Sequence, residues 1–220
     1  MFKIGSQLFT AEGPRTVEKL GRLGPGIFLD LKFHDIPNTV AGAVAAATQL
    51  PRVELINIHA LGGSAMMKAA VAAAGAQRKT HRGDGQARPR LIAVTILTSM
   101  DSASLRRVGI HGSPRRRSVE LARLAKGAGL DGVVASTHAV RAIRQSCGKD
   151  FLIVVPGVRP AAPGTLGQQD DQAQVATAAA AIRAGADYIV VGRPITAAPD
   201  PRAAAEAVIQ EIALALRISI

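Results

Sequence analysis

The chain has 220 residues, 48% hydrophobic but only 3% aromatic, and 27 basic against 16 acidic side chains give it a formal net charge of +11. That length suits one sizeable core and falls within the range of a single α/β barrel, while one cysteine, Cys147, excludes an internal disulfide and fits a reducing cytosol. No apolar run reaches the roughly eighteen residues a membrane-spanning helix needs, and the opening residues do not read as a secretion signal.

Strands are predicted at 2–5, 27–30, 55–59, 91–95, 132–135, 152–155 and 188–191. Helices are predicted between and after them, at about 12–23, 37–49, 63–74, 116–127, 137–145, 173–183 and 201–216. The strands are near-continuous apolar runs, as expected of parallel strands covered on both faces, and regular strand–helix alternation implies βαβ units. No linker interrupts the beat, so residues 1–220 are expected to form one domain.

In chain order, the first strand carries Lys3 in Phe-Lys-Ile-Gly, a weak local signal. The second runs into Asp-Leu-Lys-Phe-His-Asp-Ile-Pro-Asn-Thr, residues 30–39. Strand alternation predicts Asp30 and Lys32 on one face, with Asp35 in the loop before Pro37, a residue suited to a first helical turn. A lysine held between carboxylates keeps its proton, and can neutralise developing negative charge and then deliver that proton. The alternative is a surface ion-pair cluster.

Thr98 and Ser99 follow the fourth strand, where barrel enzymes place their chemistry; equally, they could cap the next helix. Cys147 reads as a loop residue beside Gly148. Pro156-Gly157-Val158-Arg159-Pro160 and Val191-Gly192-Arg193-Pro194 each follow one of the last two strands. Barrel phosphate sites often form from those loops, with glycine admitting backbone N–H groups and arginine matching phosphate bidentately.

The stretch 78–90 is a charged loop, and 158–172 has the composition of a lid. Basic clusters at Arg78, Lys79, Arg82, Arg88, Arg90 and at Arg115–Arg117 lack interleaved aromatics. They read as solvated surface rather than a nucleic-acid site. The histidines, His34, His59, His81, His111 and His138, show no zinc spacing and read as structural.

The decapeptide resembles the active-site motif of the orotidine 5′-phosphate decarboxylase family. Its Asp-x-Lys-x-x-Asp core is shared across a superfamily, and Ile36-Pro37-Asn38-Thr39 is specific to the decarboxylases. The resemblance runs from Lys3 to the last helix. It implies a TIM-type (β/α)8 barrel whose first strand and helix, with an early ribose-binding Asp, are missing from this chain. It further implies decarboxylation of orotidine 5′-monophosphate to uridine 5′-monophosphate in de novo pyrimidine synthesis, in the cytoplasm. Neither metal nor organic cofactor is implied.

By the same resemblance, Lys32 stabilises and protonates the C6 carbanion, Asp30 and Asp35 position it, and Lys3 joins the charged network. Thr98 and Ser99 bind substrate near the pyrimidine, while Arg159, Gly192 and Arg193 hold the 5′-phosphate. Gln172 is the expected lid glutamine, with Gln168 and Gln169 as rivals. A homodimer is implied in which Asp35 and Thr39 reach the partner's site; neither nucleic acid nor membrane is an expected partner. Two alternatives stand beside this reading. One is a Mg²⁺-dependent sugar-phosphate decarboxylase or aldolase of the same superfamily. The other is an inactive truncated homologue acting as a binding module.

Overall fold

A computed structural model describes residues 1–77, 88–159 and 177–217. Seven strands lie in one sheet in strict sequence order: β1 (Phe2–Gly5), β2 (Ile27–Phe33), β3 (Val53–His59), β4 (Arg90–Val94), β5 (Gly132–Val134), β6 (Leu152–Pro156) and β7 (Tyr188–Val190). The β1–β2, β2–β3, β3–β4 and β6–β7 pairs are parallel. Helices follow the strands. This sequential parallel order is that of the (β/α)-barrel class implied by the family resemblance, and the parallel pairing is that expected of the apolar runs. Among the described residues no helix is long and apolar enough to cross a membrane.

Contacts divide the chain into two compact units, Met1–Thr95 with Glu120–Val133, and Ile96–Val119 with Val134–Ile220. In the first, α1 (Ser6–Glu12) and α2 (Arg15–Gly21) follow β1, and α3 (Pro37–Ala47) follows β2. A 3-10 turn at Ala60–Gly62 and then α4 (Gly63–Gln77) follow β3. Ile27, Leu29, Leu55, Ile56, Ile58, Leu91 and Ile92 are almost wholly buried, together with Val40 and Val44 of α3 and Met66 and Met67 of α4. Each such aliphatic side chain contributes about 1.5–3 kcal/mol by leaving water.

The second unit holds α5 (Ser102–Arg107), α7 (Thr137–Cys147), α8 (Ala178–Ala184), α9 (Arg193–Thr196) and α10 (Pro201–Arg217), while α6 (Pro114–Gly127) begins in the second unit and ends in the first.

One device recurs in both units at the start of a strand. Asp131 donates its backbone N–H to Leu91 O and accepts the Leu91 N–H on its carboxylate. Asp187 does the same with Ile153. An arginine then clamps each carboxylate, Arg88 on Asp131 and Arg144 on Asp187, each at 2.6 Å. Arg144 also donates to the carbonyls of Gly148, Lys149, Phe151 and Gly185. Charge-assisted bonds of this kind, shorter and stronger than neutral ones, secure the strand ends.

Several boundaries differ from the sequence reading. The helix expected at 12–23 is α2, and a further helix, α1, precedes it; the two are separated because Gly13 sits at φ 65° and Pro14 has no N–H to continue the ladder. The first of them starts directly at Ser6. Helix α5 was not expected; Asp101 caps it by accepting the Ser104 N–H. That also removes the capping role considered for Thr98 and Ser99. Cys147 is not a loop residue but the buried last residue of α7. Arg88 belongs to the Asp131 clamp rather than to a solvated cluster. Of the helix expected at 173–183, residues 173–176 lie outside the described residues; α8 begins after Thr177, which caps it.

Candidate active site

The charged cluster of the first unit starts where β2 stops being regular. Its ladder with β3 pairs Leu29 with Ile56, then skips to Phe33 with Ile58. Residues 30–32 therefore bulge opposite the single residue Asn57, and bulges re-aim side chains next to active sites. Lys32 takes φ 54°, a left-handed conformation that a side-chain-bearing residue holds only when its surroundings enforce it. The predicted meeting of Asp30 and Lys32 does occur, but through this bulge and not through strand alternation.

The Asp30 carboxylate is the hub. Lys32 Nζ lies 2.6 Å from its Oδ1, and Lys3 Nζ lies 3.0 Å from its Oδ2. Asn57 Nδ2 donates to Oδ1 at 2.6 Å. Lys3 reaches Asp30 because β1 pairs with β2 in the register Lys3–Phe28 and Gly5–Asp30. Gly5 keeps the space open: a Cβ there would stand 3.1 Å from Lys3 Nζ. The carboxylate is 13% exposed, against about a third for each lysine.

Burial alone would raise the Asp30 carboxyl. The hydrogen bonds from Lys32, Asn57 and Lys3, with the charge of Lys3, outweigh it and hold the group below its ordinary 3.8. Asp30 is therefore an anion at any pH near neutrality. Its ion pairs stabilise the fold fully above pH 3.8, and that contribution is lost only as pH falls through the lower folded value.

His59 ends β3 beside this cluster. Its Nδ1 accepts the Leu61 N–H at 3.3 Å, and its ring stacks on His34 with centroids 5.2 Å apart. Burial, then the charges of His34 and Lys32, push His59 down to about 4. The ring is neutral at neutral pH and adds no competing cation next to Lys32. A folded value below the unfolded 6.5 means that the unfolded chain takes up a proton first. The stability His59 contributes is thus complete above pH 6.5 and is lost as pH falls toward 4. His59→Gln should flatten that part of the profile. In thermal melts between pH 7 and 4.5, the variant's Tm is expected to fall less than the wild-type Tm; parallel declines would show that His59 is not the group titrating.

Asp35 and Thr39 do not join the cluster within one chain. Asp35 is exposed and accepts the N–H of Ile36, and among the described residues no ion pair links it to Lys32. Thr39 is exposed in the first turn of α3. Within one chain Asp35 turns its carboxylate onto its own backbone, and Asp30 is the carboxylate that meets Lys32.

In the second unit, Thr98 lines a cavity of about 270 Å³ with Met100, Ser113, Arg115, Ser136 and His138. Ser99 is exposed beside it. Register Pro156–Val190 sets the starts of the loops after β6 and β7 side by side. These loops carry Arg159 and Gly192-Arg193, all exposed. Gly157 sits at φ 74°, and among the described residues nothing lies within 4 Å of a Cβ built on Gly157 or Gly192. Gln168, Gln169 and Gln172 lie outside the described residues.

The sequence reading overlooked Asn57. A fully buried amide inside the apolar run Leu55–Ile58 was the available signal, since buried polar groups need partners.

Comparison with known proteins bears on the whole chain. The family model described as "Orotidine 5'-phosphate decarboxylase / HUMPS family" matches residues 1–208. The orotidine 5′-phosphate decarboxylase of Geobacter sulfurreducens is 52% identical over 212 residues, 96% of this chain and 84% of that protein. That of Moorella thermoacetica is 51% identical over 213 residues, 96% and 81% of the two chains. Among solved structures, orotidine 5′-phosphate decarboxylase from Lactobacillus acidophilus superposes with a TM-score of 0.80 at 39% identity, covering 96% of this chain and 85% of that one. With a motif, a strand order and a matching family model that agree, the chain belongs to the orotidine 5′-phosphate decarboxylase / HUMPS family.

Proposed function

We propose that this chain converts orotidine 5′-monophosphate to uridine 5′-monophosphate without a cofactor. The observation that carries the reading is the Lys3–Asp30–Lys32 cluster on the β2 bulge, two ammonium groups on one carboxylate. In the reaction the bond from C6 to the carboxylate breaks. Its electron pair stays on C6 and carbon dioxide leaves. The pyrimidine offers that pair no electron sink, so the barrier falls only if fixed charge is already in place. Lys32 supplies the positive charge, then gives a proton to C6, and the amine regains one from water. Asp30 holds Lys32 and, being anionic, repels the substrate carboxylate while leaving the product, which lacks it, unaffected.

Thr98 and Ser99 are assigned to the pyrimidine, and Arg159, Gly192 and Arg193, with Gln172, to the 5′-phosphate. A net charge of +11 favours capture of such a dianion. We place the enzyme in the cytoplasm as a homodimer. Exposure of Asp35, Ile36 and Thr39 leaves them available to a second copy.

The reaction is tested by following loss of orotidine 5′-monophosphate absorbance in the presence of EDTA. Turnover is expected to persist; activity confined to a sugar-phosphate substrate and abolished by EDTA would instead identify the Mg²⁺-dependent branch of the superfamily. Arg193→Ala tests the phosphate assignment. Loss of a charged hydrogen bond costs about 1.5–3 kcal/mol, so uridine 5′-monophosphate should bind roughly 10- to 150-fold more weakly while uridine is little affected. Equal losses for both ligands would rule Arg193 out as the phosphate contact.

A further inference from the structure

We propose that Asn57 is the positioning residue of this site, a buried amide that holds both ends of Lys32. The inference rests on the decarboxylase reading and extends it to a residue outside the Asp-x-Lys-x-x-Asp motif. Three observations carry it. Asn57 is completely buried in the middle of β3. Its Oδ1 accepts the backbone N–H of Lys32 at 2.8 Å, and its Nδ2 donates to Asp30 Oδ1 at 2.6 Å. That same Oδ1 receives Lys32 Nζ at 2.6 Å. These three hydrogen bonds and the Lys32 side chain close a ring: backbone of Lys32, amide of Asn57, carboxylate of Asp30, ammonium of Lys32.

The bulge explains why an amide is needed. Where residues 30–32 leave the ladder, the Lys32 N–H has no backbone partner on β3, and an unpaired N–H there would cost free energy. The Asn57 side chain supplies the acceptor. It thereby stabilises the left-handed Lys32 backbone, which sets the direction in which the side chain leaves the strand. The second half of the amide must be a donor, because it faces an anion. Aspartate at this position would set a second carboxylate against Asp30. Leucine would leave both partners unsatisfied. Glutamine would overshoot by one methylene.

The test compares wild type, Asn57→Ala and Asn57→Asp for kcat and KM with orotidine 5′-monophosphate, and for Kd of uridine 5′-monophosphate, from pH 5.5 to 8.5. Misplacing a reacting group by about 1 Å can cost ~100-fold, so Asn57→Ala should lower kcat about that much with product Kd within about threefold of wild type. Asn57→Asp should be similarly impaired at pH 8.5 and should recover relative to wild type as pH falls. A neutral carboxyl can mimic the amide, its O–H donating to Asp30 and its C=O accepting from Lys32. The groups facing it are Asp30 and Lys32 on β2, Lys3 on β1 through Asp30, and the His59–His34 pair. Next to the Asp30 anion and in a buried position, the introduced carboxyl should take up its proton well above the ordinary range.

An Asn57→Ala enzyme with kcat within about threefold of wild type overturns the inference. So does a parallel loss of kcat and product affinity, the mark of general damage to the site. If Asn57→Ala does not fold, Asn57→Asp decides: a kcat ratio to wild type that does not change with pH overturns the inference. A wild-type protein that fails to decarboxylate orotidine 5′-monophosphate removes the reading of the reaction and this inference together. An active wild type with an unaffected variant removes this inference alone.

Discussion

Lys32→Ala is expected to lower kcat by about 10³-fold or more while the protein keeps its fold. Under the proposed reaction two roles disappear at once. One is the fixed positive charge beside C6, where a single preorganised electrostatic donor is typically worth about 10²–10³ in rate. The other is the proton donor, worth about 10²–10⁴ for general acid catalysis. The two terms share one side chain and do not simply multiply. The fold should survive because Lys32 Nζ contributes to no apolar core. Its side chain is 38% exposed, and its backbone N–H bond to Asn57 is retained in the alanine variant. The measurement is single-turnover decarboxylation with purified protein, alongside a thermal melt. A variant with near-wild-type kcat would end the assignment of Lys32 as the proton donor.

Asp30→Asn should produce the second largest loss, about 10²- to 10³-fold in kcat, by a different route. The substitution preserves the shape of the side chain but removes the charge that Lys3 and Lys32 share. Two ammonium groups then face each other across a neutral amide, and Lys32 loses its orienting partner. One of the amide's two positions must also present N–H groups toward neighbours that are themselves donors. Stability should fall too, by roughly 1–3 kcal/mol for donors left without an acceptor. Uridine 5′-monophosphate lacks the scissile carboxylate, so its affinity should change far less than kcat. A variant in which kcat and product affinity fall by the same factor would point to collapse of the site rather than to loss of the positioning charge.

The pH behaviour of the two groups separates their roles. Asp30 is held below its ordinary value and His59 is pushed down to about 4, so neither changes charge near neutral pH. Any titration of turnover above pH 6.5 therefore has to come from another group. The His59 contribution appears in stability between pH 6.5 and 4, and the Asp30 contribution only below pH 3.8, so melts at intermediate pH report on His59 first.

Much of this molecule was legible in one dimension. Apolar runs such as Ile27–Leu29 and Leu91–Val94 mark strands because a parallel strand covered on both faces must be hydrophobic throughout, and that demand is local. The decapeptide from Asp30 to Thr39 places its charges within a few residues of one another, so the segment could be singled out without knowledge of the rest of the chain.

The tertiary structure decided the rest. Asn57 lies 27 residues from Asp30 and 25 from Lys32, and its importance exists only once β2 and β3 pair with a bulge between them. Strand alternation, the rule used to place Asp30 and Lys32 on one face, assumes an unbroken ladder; the left-handed Lys32 breaks it and brings the two groups together by another path. His59 reads as an ordinary structural histidine until burial, His34 and Lys32 act on it together. Within one chain the Asp35 carboxylate, the last charge of the motif, bonds to its own backbone instead of to Lys32. Composition and periodicity determine which segments are strands and which residues can carry charge. Which charges meet depends on register between strands, and register is fixed by packing across distant parts of the chain.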